Sequence, residues 1–248
     1  MARLIPILLL AAAWEAFARS GAVTAFMLPP VSAVVERIWS DAASGDLWVN
    51  AKLTLLYRTL PGFLIAAVAG VAAGFAIARN ALARWFLDPI VSIGFPMPKI
   101  AFLPVIVLWL GFFETSKIAM IVLDAIFPVI TATVAGIAAV ERELIWSARN
   151  MGAREGELMR QVMLPAALPQ IMTGLQVALP LALIVAVVAE MAMGGYGLGA
   201  AMLAASRFAD SRGVFAGILE IAIVGFALVK GMALLRRQLL RWHPETQA

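Results

Sequence analysis

Cysteine is absent from this chain of 248 residues, and histidine occurs once, at His243. Without cysteine there are no disulfides, no thiolate nucleophile and no cysteine metal site. A lone histidine beside Pro244 in the C-terminal tail leaves no material for a structural zinc centre or a Ser-His triad. Charge is scarce as well: 14% of residues are Asp, Glu, Lys or Arg, against roughly a quarter in an ordinary soluble domain. No basic run is interleaved with aromatics, so the net charge of +4 gives no footing for nucleic acid. Loop charge beside a membrane is the simpler source. A G-x4-G-K-[ST] sequence is missing, so this chain has no P-loop to cradle nucleotide phosphates. No catalytic constellation, metal-ligand set or internal repeat stands out.

What the chain has instead is apolar length. Sixty-three per cent of its residues are hydrophobic, more than a globule of this size can hide beneath a polar skin. Lipid is the solvent that accommodates the surplus. About 20 mostly apolar residues cross the hydrocarbon core, and such stretches run over 59–78, 118–140, 171–190 and 214–235. A shorter stretch at 4–18 contains Glu15. It reads either as a first span or as a signal peptide, with Arg3 as its charged flank. The stretch 89–113 carries Pro89, Pro96, Pro98 and Pro104. Proline removes a backbone donor and crowds the preceding turn, so this one cannot be a single straight helix. Irregular backbone survives at membrane depth only under a cover of protein or water, which turns the stretch toward the bundle interior or a solute path.

The expectation is an all-α membrane protein of one domain with about six transmembrane helices. The basic set Arg79, Arg84, Arg142, Arg149, Arg154, Arg160, Lys230, Arg236, Arg237 and Arg241, with Arg3, outnumbers that of the opposite loops. Positive charge resists translocation, so both termini are expected in the cytoplasm. Between the first two spans, Val31, Val34, Val35, Ile38 and Trp39 recur at helical spacing, an amphipathic pattern suited to the interface.

The segment 141–169 is too polar to cross. Glu141 to Met151 reads as a short helix, and Gly152-Ala153 as its turn, because glycine takes left-handed geometry cheaply. Arg154 to Met163 reads as a second short helix stopped by Leu164-Pro165. Two short helices make a compact knob, with Trp146 and Leu158 as apolar anchors for a soluble partner; the plain alternative is a solvated loop.

This segment resembles the EAA loop of ABC importer permeases, with the pattern E-A-A-x3-G-x9-I-x-L-P. Ala148 and Gly152 match the second alanine and the glycine. Val162, Leu164 and Pro165 match I-x-L-P at the expected spacing. Trp146 and Ser147 stand where the family has glutamate and the first alanine, and Glu143 lies one turn earlier as a substitute for that glutamate. Further along the chain, Arg58 to Phe63, Phe95 to Pro104, Ala189-Glu190-Met191 and Gly197-Leu198-Gly199 resemble the aliphatic sulfonate, taurine and nitrate branch.

The resemblance implies a type I ABC importer fold with a cytoplasmic two-helix coupling loop, in a multi-pass protein of the inner membrane. It also implies a permease homodimer, a cytoplasmic ATP-binding subunit that carries ATP and Mg, and a periplasmic or lipid-anchored solute-binding protein. Glu143, Trp146, Ser147, Ala148, Gly152, Val162, Leu164 and Pro165 would couple to that motor. No cofactor is expected on this chain itself. The solute would be a small anion.

Intramembrane charge is costly and defaults to function. Pro96, Pro98, Lys99, Asp124 and Glu190 are the candidates for a solute path. Lys99 either attracts an anion, snorkels, or pairs with a carboxylate. Asp124 and Glu220 either meet a cationic group or hydrogen-bond within the bundle. Glu190, at a helix end, has a structural reading as well. A secondary transporter or a channel working without an ATPase is the rival class. The former favours two discontinuous helices in corresponding halves, and only one broken span is visible.

Overall fold

The computed structural model describes residues 5–242; Arg3, Leu4 and His243 lie outside the described residues. Every regular element among them is helical: α1 (Ile5–Arg19), α2 (Val31–Ser44), α3 (Asp46–Arg79), α4 (Ala81–Gly94), α5 (Leu103–Leu110), α6 (Glu114–Ala138), α7 (Arg142–Asn150), α8 (Glu155–Met193), α9 (Leu198–Arg207) and α10 (Ser211–Leu239). The chain forms two compact units. One takes the chain up to Tyr57 with Val187–Phe226; the other takes Arg58–Ala186 and the chain from Ala227 onward.

Four helices, α3, α6, α8 and α10, are long and apolar enough to cross a membrane, and α4 with the segment Lys99–Leu110 forms a bent pair at 99° that adds a fifth. The proline-rich stretch is thus broken, as its residues require. The 15 described residues of α1 rise about 22 Å, less than the ~30 Å hydrocarbon core. Helix α2 takes up the amphipathic segment, but of its apolar stripe Val34 is fully buried while Val35 and Trp39 are exposed.

The helices overrun the apolar windows read from sequence, because a helix need not stop where lipid does. Helix α3 starts thirteen residues before Thr59 (59 − 46 = 13), and α8 begins at Glu155, sixteen residues before Ile171 (171 − 155 = 16). Leu164-Pro165 therefore does not end a helix. The expected second short helix of the 141–169 segment is instead the base of α8, which continues through Pro165, Pro169 and Pro180. Immediately ahead of this, Leu158–Met163 is wound as a π-helix. The same arrangement occurs in α3, where π-helical Leu53–Thr59 precedes Leu60-Pro61. A wider turn shifts the hydrogen bonds to i→i+5, which accommodates a ring that has no N–H to give.

Helix α6 is the centre of the second unit. Gly62, Gly70 and Gly74 of α3 lie against it: a Cβ at Gly70 would stand 2.8 Å from Val129 Cβ, and one at Gly74 2.6 Å from Thr133 Cβ. On its other side, Gly136 of α6 backs onto the Ala167 carbonyl of α8, and Gly174 of α8 meets Ala132. The Gly70-x3-Gly74 pair is therefore used within the chain. Lipid offers helices no hydrophobic reward for associating, so small residues that admit close backbone packing supply the attraction. The apolar bulk of this unit faces outward, with Leu64, Val68 and Ile184 all exposed. At the head of this seam, Arg58, 2% exposed, donates twice to Glu114, from Nε at 2.5 Å and from the guanidinium at 2.8 Å. That bidentate pair ties the start of the 60–79 stretch to the start of α6.

The seam generates a paired test. Gly74→Ala forces a methyl into Thr133 and should lower stability by about 1–3 kcal/mol. Gly231→Ala, in α10 with nothing within 4 Å of the new methyl, should raise it by about 0.5–1 kcal/mol. Thermal unfolding of the purified chain in detergent reads both.

Candidate functional site

Helix α7 stands apart from the long helices and is seated by a small core. Ala148 is its one buried residue, and it packs with Leu158, Met163, Ala167 and Ile171 of α8 and Ile137 of α6; Ile145, Ala153, Met159 and Val162 fill the margin. Leu158 is fully buried in this core. It is a support for α7 rather than the docking anchor expected from sequence. The helix ends in a closed turn: Ala153 N–H donates to Ala148 O at 3.0 Å and Gly152 N–H to Arg149 O at 2.9 Å. Those two bonds with Gly152 at φ +86° make a Schellman motif. A Cβ at Gly152 would meet nothing within 4 Å, so the glycine is required for its backbone angle and not for space.

Glu155 then clamps the junction. Its carboxylate accepts from Arg149 at 2.8 Å and from Arg79 at the end of α3. The pairs are exposed, so each contributes little on its own, but together they fix α7 against the end of α3. Glu157 accepts from the Arg154 N–H at 2.9 Å, half of a capping box.

The sequence-derived coupling residues therefore fall into two sets. Ala148 and the half-buried Val162 hold the foot in place. Glu143, Trp146, Ser147, Gly152, Leu164 and Pro165 are exposed. Trp146 is 57% exposed, flanked one turn away by Arg142, Glu143, Arg149 and Asn150. Leu144 and Met151 are exposed as well, on other sides of the helix from Trp146. The joint role of Arg79 and Glu155 was missed because the two lie 76 residues apart in sequence.

The broken span places the other candidates. Lys99 opens the single turn Lys99–Phe102 after the bend. Its Nζ lies 3.5 Å from Asp124 Oδ1, donates to Phe95 O at 2.7 Å and sits 5.0 Å from the centre of the Phe127 ring. Of the three readings of Lys99, pairing with a carboxylate is the arrangement found, and Asp124 is the carboxylate. Pro96 and Pro98 are exposed on the connection between α4 and this turn. A cavity of about 340 Å³ beside them is walled by apolar side chains from Pro89 to Phe102 and by Leu123 and Phe127, with Lys99 at its edge.

Glu190 is fully buried. One carboxylate oxygen accepts from Thr54 Oγ1 at 2.8 Å and the other from Gly199 N–H at 2.9 Å. Thr54 Oγ1 accepts in turn from Leu198 N–H at 3.0 Å, and Asn50 Oδ1 from Gly197 N–H at 2.9 Å. These bonds hold the glycine turn between α8 and α9, which is the structural reading of Glu190.

The family model described as the binding-protein-dependent transport system inner membrane component matches residues 66–241. The chain is 34% identical to the taurine transport system permease protein TauC of Escherichia coli (strain K12), over 94% of this chain and 86% of that one. It is also 34% identical to the putative aliphatic sulfonates transport permease protein SsuC of Bacillus subtilis (strain 168), over 97% and 86%. The riboflavin transport system permease protein RibX of Chloroflexus aurantiacus is 33% identical, over 96% and 89%. Among solved structures, an inward-facing form of the MetNI methionine ABC transporter superposes with a TM-score of 0.64 at 18% identity, covering 80% of this chain and 98% of that one.

The Lys99–Asp124 arrangement predicts a non-additive cycle. Lys99→Met leaves Asp124 half-buried without its cation, and Asp124→Leu leaves Lys99 likewise. Each single variant should unfold at lower temperature than the double variant, with a coupling of about 0.5–3 kcal/mol. Additive losses in detergent melts would instead leave Lys99 free for a solute.

Proposed function

The chain belongs to the binding-protein-dependent transport system inner membrane component family, and from that premise we propose that it forms the membrane path of an ATP-driven importer for a small sulfonated solute. The observation that carries the reading is the stiff α7 foot: a nine-residue helix closed by a Schellman turn, seated through Ala148 on the base of α8, with Trp146 turned outward. An apolar anchor ringed by charge on a rigid support is the chemistry of a docking element. The partner it serves is an ATP-binding subunit, since this chain carries no P-loop.

In this reading a pair of ATP-binding subunits grips α7, and closure on ATP moves the foot. The foot is continuous with α8 through the clamped Gly152–Glu155 junction, so its motion passes to a membrane-crossing helix without slack. Alternating exposure of the path follows, and a solute-binding protein outside loads it. The foot and both termini then face the cytoplasm. Two copies of this chain line the path, and 141–169 works as the coupling loop of a single permease domain. Glu143 takes the polar role that the family gives to the residue at the Trp146 position.

The sulfonate assignment rests on the names of the taurine and aliphatic sulfonate relatives. The riboflavin relative, nearly as similar, makes that solute the comparison to run. Reconstituted with its ATP-binding subunit and binding protein, the chain should take up 2-aminoethanesulfonate or ethanesulfonate only when ATP is supplied. Uptake of riboflavin alone would overturn the solute, and uptake without the ATP-binding subunit would overturn the importer.

Gly152→Pro tests the foot. Proline fixes φ near −65° where +86° is needed and removes the N–H given to Arg149. Membrane insertion should be unchanged, while ATP-dependent uptake falls to the level seen without ATP. Gly152→Ala, which bears only the left-handed cost of about 1–2 kcal/mol, should keep measurable uptake.

A further inference from the structure

The unit formed by residues up to Tyr57 and Val187–Phe226 contains a cavity of about 310 Å³ that none of the transport reading uses. Its wall carries four carboxylates, Asp41, Asp46, Asp210 and Glu220, and one cation, Arg37. Arg37 is already engaged: Nε donates to both oxygens of Asp41, at 2.9 and 3.0 Å, and the guanidinium reaches Asp210 Oδ2 at 2.6 Å. Asp210 also accepts from Gly213 N–H at 3.0 Å, and Asp46 from Ser44 Oγ at 2.8 Å.

Glu220 is different. It comes from α10, is 7% exposed, and its Oε1 is buried with no hydrogen-bond donor among the described residues. Buried carboxylates are almost always met by a donor, and Glu220 is part of the cavity wall. The volume is at the lower end of small-molecule pockets and far beyond the room one water needs.

The wall dictates the ligand. Carboxylates outnumber the guanidinium, so the occupant is cationic. The Glu220 carboxylate borders the cavity with no donor among the described residues, so the cation carries N–H and a quaternary ammonium does not serve. A bare metal ion needs several oxygens converging within about 2.6 Å, and no group of three carboxylates close enough to hold one exists among the described residues. Leu47, Ala201, Ala204 and the Phe208 ring complete the wall with apolar surface suited to carbon. We propose that this cavity binds a small primary amine, its ammonium hydrogen-bonded to Glu220 and its carbon skeleton against Leu47, Ala204 and Phe208.

Isothermal titration calorimetry of the full chain in detergent, with propylammonium chloride as the probe, tests this directly. The wild-type chain should bind propylammonium and show no heat beyond dilution with sodium chloride or tetramethylammonium chloride. Glu220→Gln keeps the shape and removes the charge; the dissociation constant should rise at least about tenfold. Ala204→Leu fills the cavity without touching any charge and should weaken binding by a similar factor. Melting curves identify a variant that fails to fold, and in that case the other variant decides. Failure of the wild-type chain to bind, equal affinity in a folded Glu220→Gln or Ala204→Leu, or an equal response to sodium or tetramethylammonium overturns the proposal. Because the probe is not a sulfonate and no transport is measured, failure here leaves the importer reading standing, and the reverse holds too.

Discussion

In hydrocarbon every peptide N–H and C=O must find its partner within the chain, and the organisation of this protein follows from that constraint. It explains why the described elements are all helical, and why the helices run past the lipid-facing stretches rather than stopping at them. It also explains where proline is tolerated. Pro61 and Pro165 each follow a π-wound segment, so the turn that would collide with the ring is already widened. Where prolines crowd together between Pro89 and Pro104, no such accommodation suffices, and the span turns by 99°.

The same medium governs charge. Arg58 is answered by Glu114, Lys99 by Asp124, and Glu190 by a hydroxyl and a peptide N–H. Each pairing draws together segments that are far apart in sequence. The charges of the foot obey a weaker rule: Glu155 bridges Arg79 and Arg149 in a setting open to solvent, so geometry rather than energy is what they supply.

Much of this was legible in the residues. The apolar windows located the crossing helices, and the four prolines foretold a broken span. Gly152 marked the end of α7, because Schellman geometry favours glycine at that one position. Helix limits were not legible, since hydropathy reports lipid contact and the helical hydrogen-bond ladder does not end where lipid does. Leu164-Pro165 read as a stop for the same reason that it is not one: the preceding π-wound turn leaves no signature in composition. Leu158 looked like an anchor because periodicity shows that a residue is apolar without showing what covers it. The partners of Lys99 and Glu190 were invisible, being 25 residues (124 − 99 = 25) and 136 residues distant along the chain.

The glycine seam between α3 and α6 has a mechanical corollary. At Gly62, Gly70 and Gly74 the two backbones approach so closely that even one methyl would collide with Ile121, Val129 or Thr133. Screwing α3 past its partner by a single residue, with the turn of about 100° that this entails, would bring Phe63, Val71 and Phe75 toward those notches. Short of a full turn, the pair accordingly has no neighbouring groove to slip into. For any displacement smaller than that, 60–79 and its partner travel as one solid beam, and bending is left to joints elsewhere.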